Sequence, residues 1–310
     1  MSKVEVRPAP QWINLAAKII RQLPIGLYRV MHRISRRPRP AFRRRMPAEL
    51  GGYEFICNLR DTISREVCFN GRYEPQETAV VGSILRAGMS FVDVGANWGY
   101  FTLMAASLVG PSGRVLSLEP DPRLFSILEG NIGRNQLQHV TCLPVAAARE
   151  PGRLTLAGYD EEGENFGISR IVARNEEAKQ SYNVDADSLD RILDRQQLAS
   201  VDLMKMDIEG AEVFALPGLE ASLRCARVKR LLLELHPGLI AEHGGTADRL
   251  IGLLHQAGYT GWTIDHSATA TRKAAYSKSV NANGILRPLN SSDKLDEWPH
   301  QLWLAPGTED

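Results

Sequence analysis

From about residue 75 onward the apolar positions of this chain alternate between two patterns. Short continuous apolar runs give way to longer segments in which apolar side chains recur every three or four residues. The runs predict strands over 90–94, 114–118, 140–145, 202–206, 230–235, 259–264 and 301–304. The longer segments predict helices over 77–85, 101–109, 123–135, 211–216 and 246–257. Strands alternating with helices indicate an α/β domain with a mostly parallel sheet covered on both faces. In such a sheet a ligand sits outside the carboxyl ends of the strands, where the strand order reverses.

The first 50 residues follow a different pattern. Trp12, Ile13, Leu15, Ile19, Ile20, Leu23, Leu27, Val30 and Ile34 are interleaved with basic residues, predicting amphipathic helix interrupted at Pro24. Arginines at 36, 37, 39 and 43–45, set among Pro38, Pro40 and Pro47, predict an extended, solvated linker. Charge sharpens the division. Residues 1–50 hold 12 Lys/Arg against 2 Asp/Glu, and the remainder 25 against 34, so the formal net charge of +1 hides a basic arm on an acidic body. A basic amphipathic helix carrying a tryptophan suits an anionic membrane surface. Charge alone would also serve RNA, and a solubilising tail or a lid is the plain alternative. The expectation is weak peripheral membrane contact, with no specific nucleic acid.

The remaining composition narrows the class. With 310 residues, 44% of them apolar, the chain can build one large core with an appendage. Cys57, Cys68, Cys142 and Cys225 are scattered without metal or disulfide spacing, which points to buried thiols in a reducing compartment. No run of about 18 apolar residues could span a bilayer, and no secretory leader pattern opens the chain. A cytoplasmic protein is expected.

The candidate chemistry begins at Asp93-Val94-Gly95-Ala96-Asn97-Trp98-Gly99. An apolar strand ends in an acid, turns through two glycines and enters a helix, whose N-terminus offers free N–H groups. It lacks the third glycine of a dinucleotide fingerprint. The second strand ends in Glu119, placed to accept from two ribose hydroxyls. NAD sites use the same device, so Glu119 marks an adenosine cofactor without choosing it.

With these loops placed, the chain resembles the FkbM-family methyltransferases over roughly residues 70–305. The resemblance is carried by Gly71-Arg72-Tyr73-Glu74-Pro75, by residues 92–99, by Glu119-Pro120, Asn131 with Asn135, and Leu189-Asp190. It continues through Lys205-Met206-Asp207-Ile208-Glu209-Gly210-Ala211-Glu212 and Leu233-Glu234-Leu235-His236. It implies a Rossmann-like class I methyltransferase fold, with a seven-stranded, mostly parallel sheet, helices on both faces and an antiparallel last strand. It further implies S-adenosylmethionine as donor and an O-linked acceptor. On this basis residues 51–310 form the methyltransferase domain, with a cofactor half over about 70–150 and an acceptor-side half over about 151–305. The cofactor residues are then Glu74, Asp93, Gly95, Asn97, Gly99, Glu119 and Asp207, with Tyr73 and Glu74 covering cofactor or acceptor.

Methyl transfer from a sulfonium is an in-line displacement, so alignment supplies roughly 7–11 kcal/mol of the barrier. An aliphatic hydroxyl also gains roughly 10²–10⁴ in rate from a positioned base. Asp207, Glu209, Glu234 and His236 close two neighbouring strands and would surround one crevice. In one reading Asp207 or His236 is the base. In the other, some of these carboxylates hold a divalent cation that acidifies the hydroxyl; the spacing itself is no ligand motif, and no metal residue is assigned. Glu212 would pair with Lys205 or a neighbour, and His236 before Pro237 would otherwise cap its strand. Asn165-Phe166-Gly167 falls where an acceptor loop would lie.

Competing activities fit less well. Amino-group transfer to nucleic acid favours Asn/Asp-Pro-Pro and an aromatic after the fourth strand, where this chain has Asp207-Ile208-Glu209. Cytosine C5 transfer needs a nucleophilic cysteine after a proline, and none is present. A nicotinamide oxidoreductase and a catalytically inactive nucleoside-binding module remain as alternatives. The expected acceptor is a hydroxyl of a sugar or glycoconjugate, with a polyketide or other secondary metabolite second.

Overall fold

The computed structural model of the chain describes residues 6–20, 31, 40–158, 170–172, 181–277, 280–290, 293 and 300–308. An N-terminal layer comprises β1 (Arg7–Pro8), α1 (Gln11–Ile20), β2 (Phe42–Arg45), β3 (Glu54–Cys57), α2 (Thr62–Phe69) and α3 (Pro75–Ile84). The alternating body opens with β4 (Ser90–Val94), α4 (Tyr100–Val109), β5 (Arg114–Leu118), α5 (Pro122–Arg134) and β6 (Val140–Leu143). Four further strands follow, β7 (Ala146–Ala148), β8 (Gly152–Ala157), β9 (Arg170–Val172) and β10 (Ser181–Ser188), then α6 (Leu189–Arg195). β11 (Leu203–Met206), α7 (Glu212–Ala215), α8 (Glu220–Arg224), β12 (Arg230–Glu234) and α9 (Pro237–Glu242) continue the alternation. α10 (Ala247–Gln256), β13 (Thr260–Ile264), α11 (Ala268–Tyr276), β14 (Leu286–Pro288) and β15 (His300–Leu304) complete it.

The main sheet runs β14-β13-β15-β12-β11-β4-β5-β6. β6, β5, β4, β11 and β12 are parallel, and β15 lies antiparallel between β12 and β13. All seven expected strands are there, with the last one antiparallel. β14 adds an eighth at the edge, and its three residues, ending in a proline, carry no alternation to read. The chain steps outward from β4 to β5 and β6, then returns to place β11 on the other side of β4. That reversal sets a crevice at the carboxyl ends of β4 and β11.

Packing between these two strands dictates the local sequence. Gly95 follows β4 with φ of 87°, and a Cβ there would stand 2.1 Å from the carbonyl oxygen of Asp207 after β11. Only glycine fits so close an approach. Helix α4 buries eight of its ten residues, and a helix apolar on all sides needs a layer over its outer face. The N-terminal segment provides it: α3 and the turn at Ala48–Leu50 both pack on α4.

The expectation for residues 40–45 needs correction. Phe42–Arg45 is the middle strand of a three-stranded sheet, β1-β2-β3, rather than a solvated linker. The apolar Phe42 is buried beside Cys57, and β2 pairs along its length with β3, which outweighs the solvation of its arginines. Arg36, Arg37 and Arg39 lie outside the described residues. Ile13, Ala17 and Ile20 of α1 are buried in the same core as α4, while Trp12, Leu15 and Ile19 are exposed. The arm is therefore docked on the domain where it is described. Asn131 and Asn135 of α5 hold that junction. Asn131 accepts from the Ile56 N–H and donates to the Trp98 carbonyl, and Asn135 exchanges two hydrogen bonds with the Glu54 backbone. Removing the buried Asn131 amide would leave a donor and an acceptor unpaired, each costing roughly 1–3 kcal/mol.

β7-β10-β8-β9 form a separate four-stranded sheet inside the segment expected to serve the acceptor. Leu156 and Ile171 of this sheet line the crevice described below. Asn165-Phe166-Gly167 lies outside the described residues. All four cysteines are free, but only Cys57 and Cys68 are buried; Cys142 is half-buried and Cys225 exposed, against the expectation of buried thiols. Among the described residues no helix is long and apolar enough to cross a membrane.

Candidate active site

A cavity of about 240 Å³ opens at the carboxyl ends of β4, β5 and β11. Asp93, Gly95, Asn97, Glu119, Lys205, Asp207 and Glu209 all line it, with Leu118, Pro120, Leu124 and Val145 as apolar wall. Asp61, Thr62 and Ile63 close another side, from the start of α2. Sequence reasoning passed over these three, although Asp61 caps α2 by accepting from the Ser64 N–H at 2.6 Å, a readable helix-start signature.

Glu119 is 4% exposed and is fixed by backbone: one oxygen accepts from the Asn97 N–H at 2.8 Å, the other from the Asp121 N–H at 2.9 Å. Each oxygen keeps a lone-pair direction for a second donor. Burial pushes the Glu119 carboxyl up to about 8, so it binds best once diol donors replace the lost water. Asn97 presents its N–H from a left-handed conformation, φ 51°, which asparagine tolerates better than most residues. That explains how it stands where glycine is commoner. Gly99 is off the cavity wall. It opens α4 with φ of 86°, and a Cβ there would meet Leu128 at 2.6 Å, so its evident role is to seat α5 on α4.

At the other end, Asp93 is buried and accepts from the Thr102 hydroxyl at 2.6 Å. Burial raises its pKa, and the Lys205 ammonium pulls it back. Lys205 is 4% exposed, lies 4.7 Å above the Phe101 ring, and pairs with Asp207 at 3.0 Å. Burial would discharge this ammonium, but Asp207, Glu74 and Asp93 hold it charged, well above an ordinary lysine. Burial likewise opposes the charge on Asp207, and Lys205 with His236 outweighs it, so Asp207 stays below the usual carboxylate range. Lys205 thus pairs with Asp207 rather than with Glu212, the other partner considered for it.

The acceptor side centres on His236, at the end of β12 just before α9. Its Nδ1 lies 3.1 Å from Oε1 of the fully buried Glu212. Its Nε2 faces Glu209 at 3.4 Å, Glu234 at 3.6 Å and Asp207 at 4.0 Å. The four predicted catalytic residues do surround one point. His236 is more than a strand cap, since its side chain makes no capping bond and turns into this cluster. Burial opposes the imidazolium, but the Glu212 hydrogen bond and the surrounding carboxylates push His236 up to about 9. Glu234 is raised to about 10 by burial and by the charges of Asp207 and Glu74. Glu74 is raised to about 7 by burial, and its carboxylate lies with those of Asp207 and Glu234 within 4.8 Å of one another. Tyr73 packs edge-on to Tyr100 at 5.8 Å and lines the cavity.

Backbone strain gathers at the same place. Among the described non-glycine residues with positive φ are Glu74 at 40°, Asn97 at 51° and Glu209 at 52°. A glutamate in that region costs of order 1–3 kcal/mol and persists only where surrounding structure holds it. Glu77, His266 and His300 stand next to this cluster, and sequence reasoning missed all three. His300 pairs across the sheet with Glu234, and its Nε2 lies 3.6 Å from Glu234 Oε1. A signal existed: the amino end of an antiparallel strand lies at the carboxyl edge of its parallel neighbours.

The crevice has a diol acceptor at one end, apolar walls beside it, and a carboxylate-rich end suited to a cation. The strand order, with its antiparallel β15 between β12 and β13, is that of the class I methyltransferase fold, and residues 93–260 match the family profile described as Methyltransferase FkbM domain. The chain belongs to the FkbM methyltransferase family, and its cofactor is S-adenosylmethionine. AMB antimetabolite synthetase AmbE of Pseudomonas aeruginosa is 30% identical over 209 residues, covering 57% of this chain and 10% of AmbE. The chain thus spans only a tenth of the length of that relative. The 31-O-demethyl-FK506 methyltransferase FkbM of Streptomyces tacrolimicus is 27% identical over 207 residues, covering 58% of this chain and 75% of that protein. The crystal structure of Methyltransferase FkbM from Methylobacillus flagellatus KT shares 16% identity, with a TM-score of 0.41 over 79% of this chain and 55% of that one.

The donor set fits the cofactor. Glu119 suits its ribose hydroxyls, Leu118, Pro120 and Leu124 its adenine, and the Asp93, Asp207 and Glu74 carboxylates its positive end. Glu119→Gln keeps the side chain's size, removes the charge and turns an amide donor toward a backbone donor. Charge-assisted hydrogen bonds contribute about 1.5–3 kcal/mol, so cofactor affinity should fall roughly 10- to 150-fold in calorimetry. An unchanged affinity would remove Glu119 from the cofactor site.

Proposed function

We propose that this chain transfers the S-adenosylmethionine methyl group to a hydroxyl of a sugar or glycoconjugate, with His236 as general base. The observation that carries this reading is the imidazole held by Glu212 on one nitrogen and open to three carboxylates on the other. A carboxylate on Nδ1 fixes the tautomer and leaves Nε2 to take a proton, the logic of an oriented histidine base. The cofactor, when bound, supplies the activated methyl group and a positive sulfonium. A positive charge near His236 opposes its protonated form and so lowers its pKa from about 9 toward the working range.

Glu74, Asp207, Glu209 and Glu234 supply more hydrogen-bond acceptors than donors, even with Glu234 holding a proton. Such a rim suits a polyol, whose hydroxyls donate, and repels phosphates and carboxylates. That disfavours nucleic acid and carboxylic acids as acceptors. A secondary-metabolite hydroxyl is the second reading, favoured by the similarity to 31-O-demethyl-FK506 methyltransferase.

The test is transfer of isotopically labelled methyl to sugar, glycolipid and polyketide alcohols, followed across pH at saturating donor. A neutral polyol should be labelled, and nucleic acid should not. The acceptor kcat/KM should rise with pH, because the base must lose its proton, with a midpoint between the ordinary 6.5 and the cofactor-free value of about 9. His236→Gln should erase that rise and lower kcat by roughly 10²–10⁴. A rise that survives the substitution would assign the base elsewhere.

We also propose peripheral contact with an anionic membrane through α1. Trp12, Leu15 and Ile19 form an exposed apolar stripe opposite the buried Ile13, Ala17 and Ile20, next to Lys18 on a basic arm. An interfacial helix combines these features. The full chain should co-sediment with vesicles containing phosphatidylserine, and Trp12→Glu with Leu15→Glu should abolish this. Absence of binding by the full chain would dismiss the proposal.

A further inference from the structure

Beside the methyl-transfer cluster lies a second group that the proposed reaction does not use. Glu77 comes from the first turn of α3, His266 follows β13, and His300 begins β15. Glu77 is 2% exposed, so its carboxylate is removed from water. Its Oε1 lies 2.5 Å from His266 Nε2 and 3.1 Å from His300 Nδ1. The two imidazoles stack face to face, with centroids 3.7 Å apart and planes 12° from parallel.

Hydrogen bonding alone leaves this arrangement incomplete. His300 Nδ1 and Glu77 Oε2 are buried and have no aligned hydrogen-bond partner among the described residues. The single Glu77 oxygen Oε1 serves both rings, so one carboxylate is shared between two imidazoles. A buried polar atom without a partner costs about 1–3 kcal/mol; Glu77 Oε2 is one, and His300 Nδ1 meets Oε1 only off line.

We propose that Glu77, His266 and His300 bind a first-row divalent metal ion of the zinc, iron or cobalt type. Two imidazole nitrogens and one carboxylate are the ligand set such ions prefer, whereas magnesium and calcium favour all-oxygen sites. The three donor atoms lie within 4.8 Å of one another. Ligand atoms around a tetrahedral ion with bonds of about 2.0–2.1 Å stand roughly 3.3 Å apart, so binding requires the two stacked rings to tilt until their in-plane lone pairs meet on the ion. Gln76 steadies the surroundings: its amide lies 3.4 Å from the Asp265 carbonyl and 3.3 Å from the Thr271 hydroxyl, tying α3 to the chain around His266.

The site also has an outer partner. An ion on His300 Nδ1 leaves Nε2–H directed toward Glu234 at 3.6 Å. Metal-bound histidines regularly donate their other N–H to a carboxylate. The ion would therefore fix the His300 tautomer and favour the ionised form of Glu234 beside the acceptor. Metal binding itself stands apart from the methyl-transfer reading, since it needs neither donor nor acceptor.

The test uses the full chain, freed of metal by chelation and titrated with zinc, then with cobalt as an optical probe. One equivalent should bind, and His266→Ala and His300→Ala should each weaken it by roughly 100-fold or more, while His236→Ala leaves it intact. Absence of stoichiometric binding would overturn the proposal. So would binding that disappears in His236→Ala and survives in His266→Ala, which would move the ion to the methyl-transfer cluster. Should the alanine variants fail to fold, X-ray absorption of the zinc-loaded wild type decides. Two imidazoles per zinc support the site, and fewer than two overturn it.

Discussion

Charge balance in one partly buried crevice governs this protein. Asp93, Glu74, Asp207, Glu209, Glu234 and Glu212 converge within a short span, and Lys205 and His236 are the cations set among them. So many carboxylates cannot all ionise out of water, which is why Glu234 and Glu74 are pushed upward while His236 is held as a cation. The cluster is short of positive charge. A sulfonium would supply it, and with His236 as the proposed base, recognition and activation would become one event.

The fold exists to hold these groups against their mutual repulsion. They come from the ends of β4, β11 and β12 and from the starts of α3 and α7, and the sheet fixes their spacing. β4 and β11 approach so closely that Gly95 is required, and this brings Asp93, Lys205 and Asp207 to one wall. β12 contributes Glu234 and His236. The antiparallel β15 brings His300 beside Glu234 from the opposite chain direction. Glu212 supports His236 from α7. The positive-φ backbones of Glu74 and Glu209 lie at the same place.

Much of this was legible in the amino-acid sequence, because strands buried on both faces read as apolar runs and their last residues can be named. Asp93, Glu119, Asp207, Glu209, Glu234 and His236 were singled out that way and do gather at one crevice, and the order of the main sheet's strands along the chain was read the same way. Other parts were hidden for physical reasons. Arg43–Arg45 read as solvated because arginine charge masks a strand whose pairing is backbone to backbone. β7 and β9 have only three residues each, and β8 and β10 interleave polar residues with apolar ones instead of forming the continuous apolar runs that mark the main sheet. Glu77, His266 and His300 are far apart in the chain and meet only after α3, β13 and β15 have packed. For Gly99 the motif suggested the cofactor, and the structure adds a packing reason that the sequence did not show: a Cβ there would meet Leu128.

The central claim is that the crevice recognises positive charge and that His236 gives up a proton when that charge arrives. Calorimetric titration of the cofactor near pH 8, in buffers of different ionisation enthalpy, measures the protons released on binding. S-adenosylmethionine should release protons, its uncharged thioether product should release markedly fewer, and His236→Gln should narrow the difference. Equal proton exchange for the two ligands would contradict it.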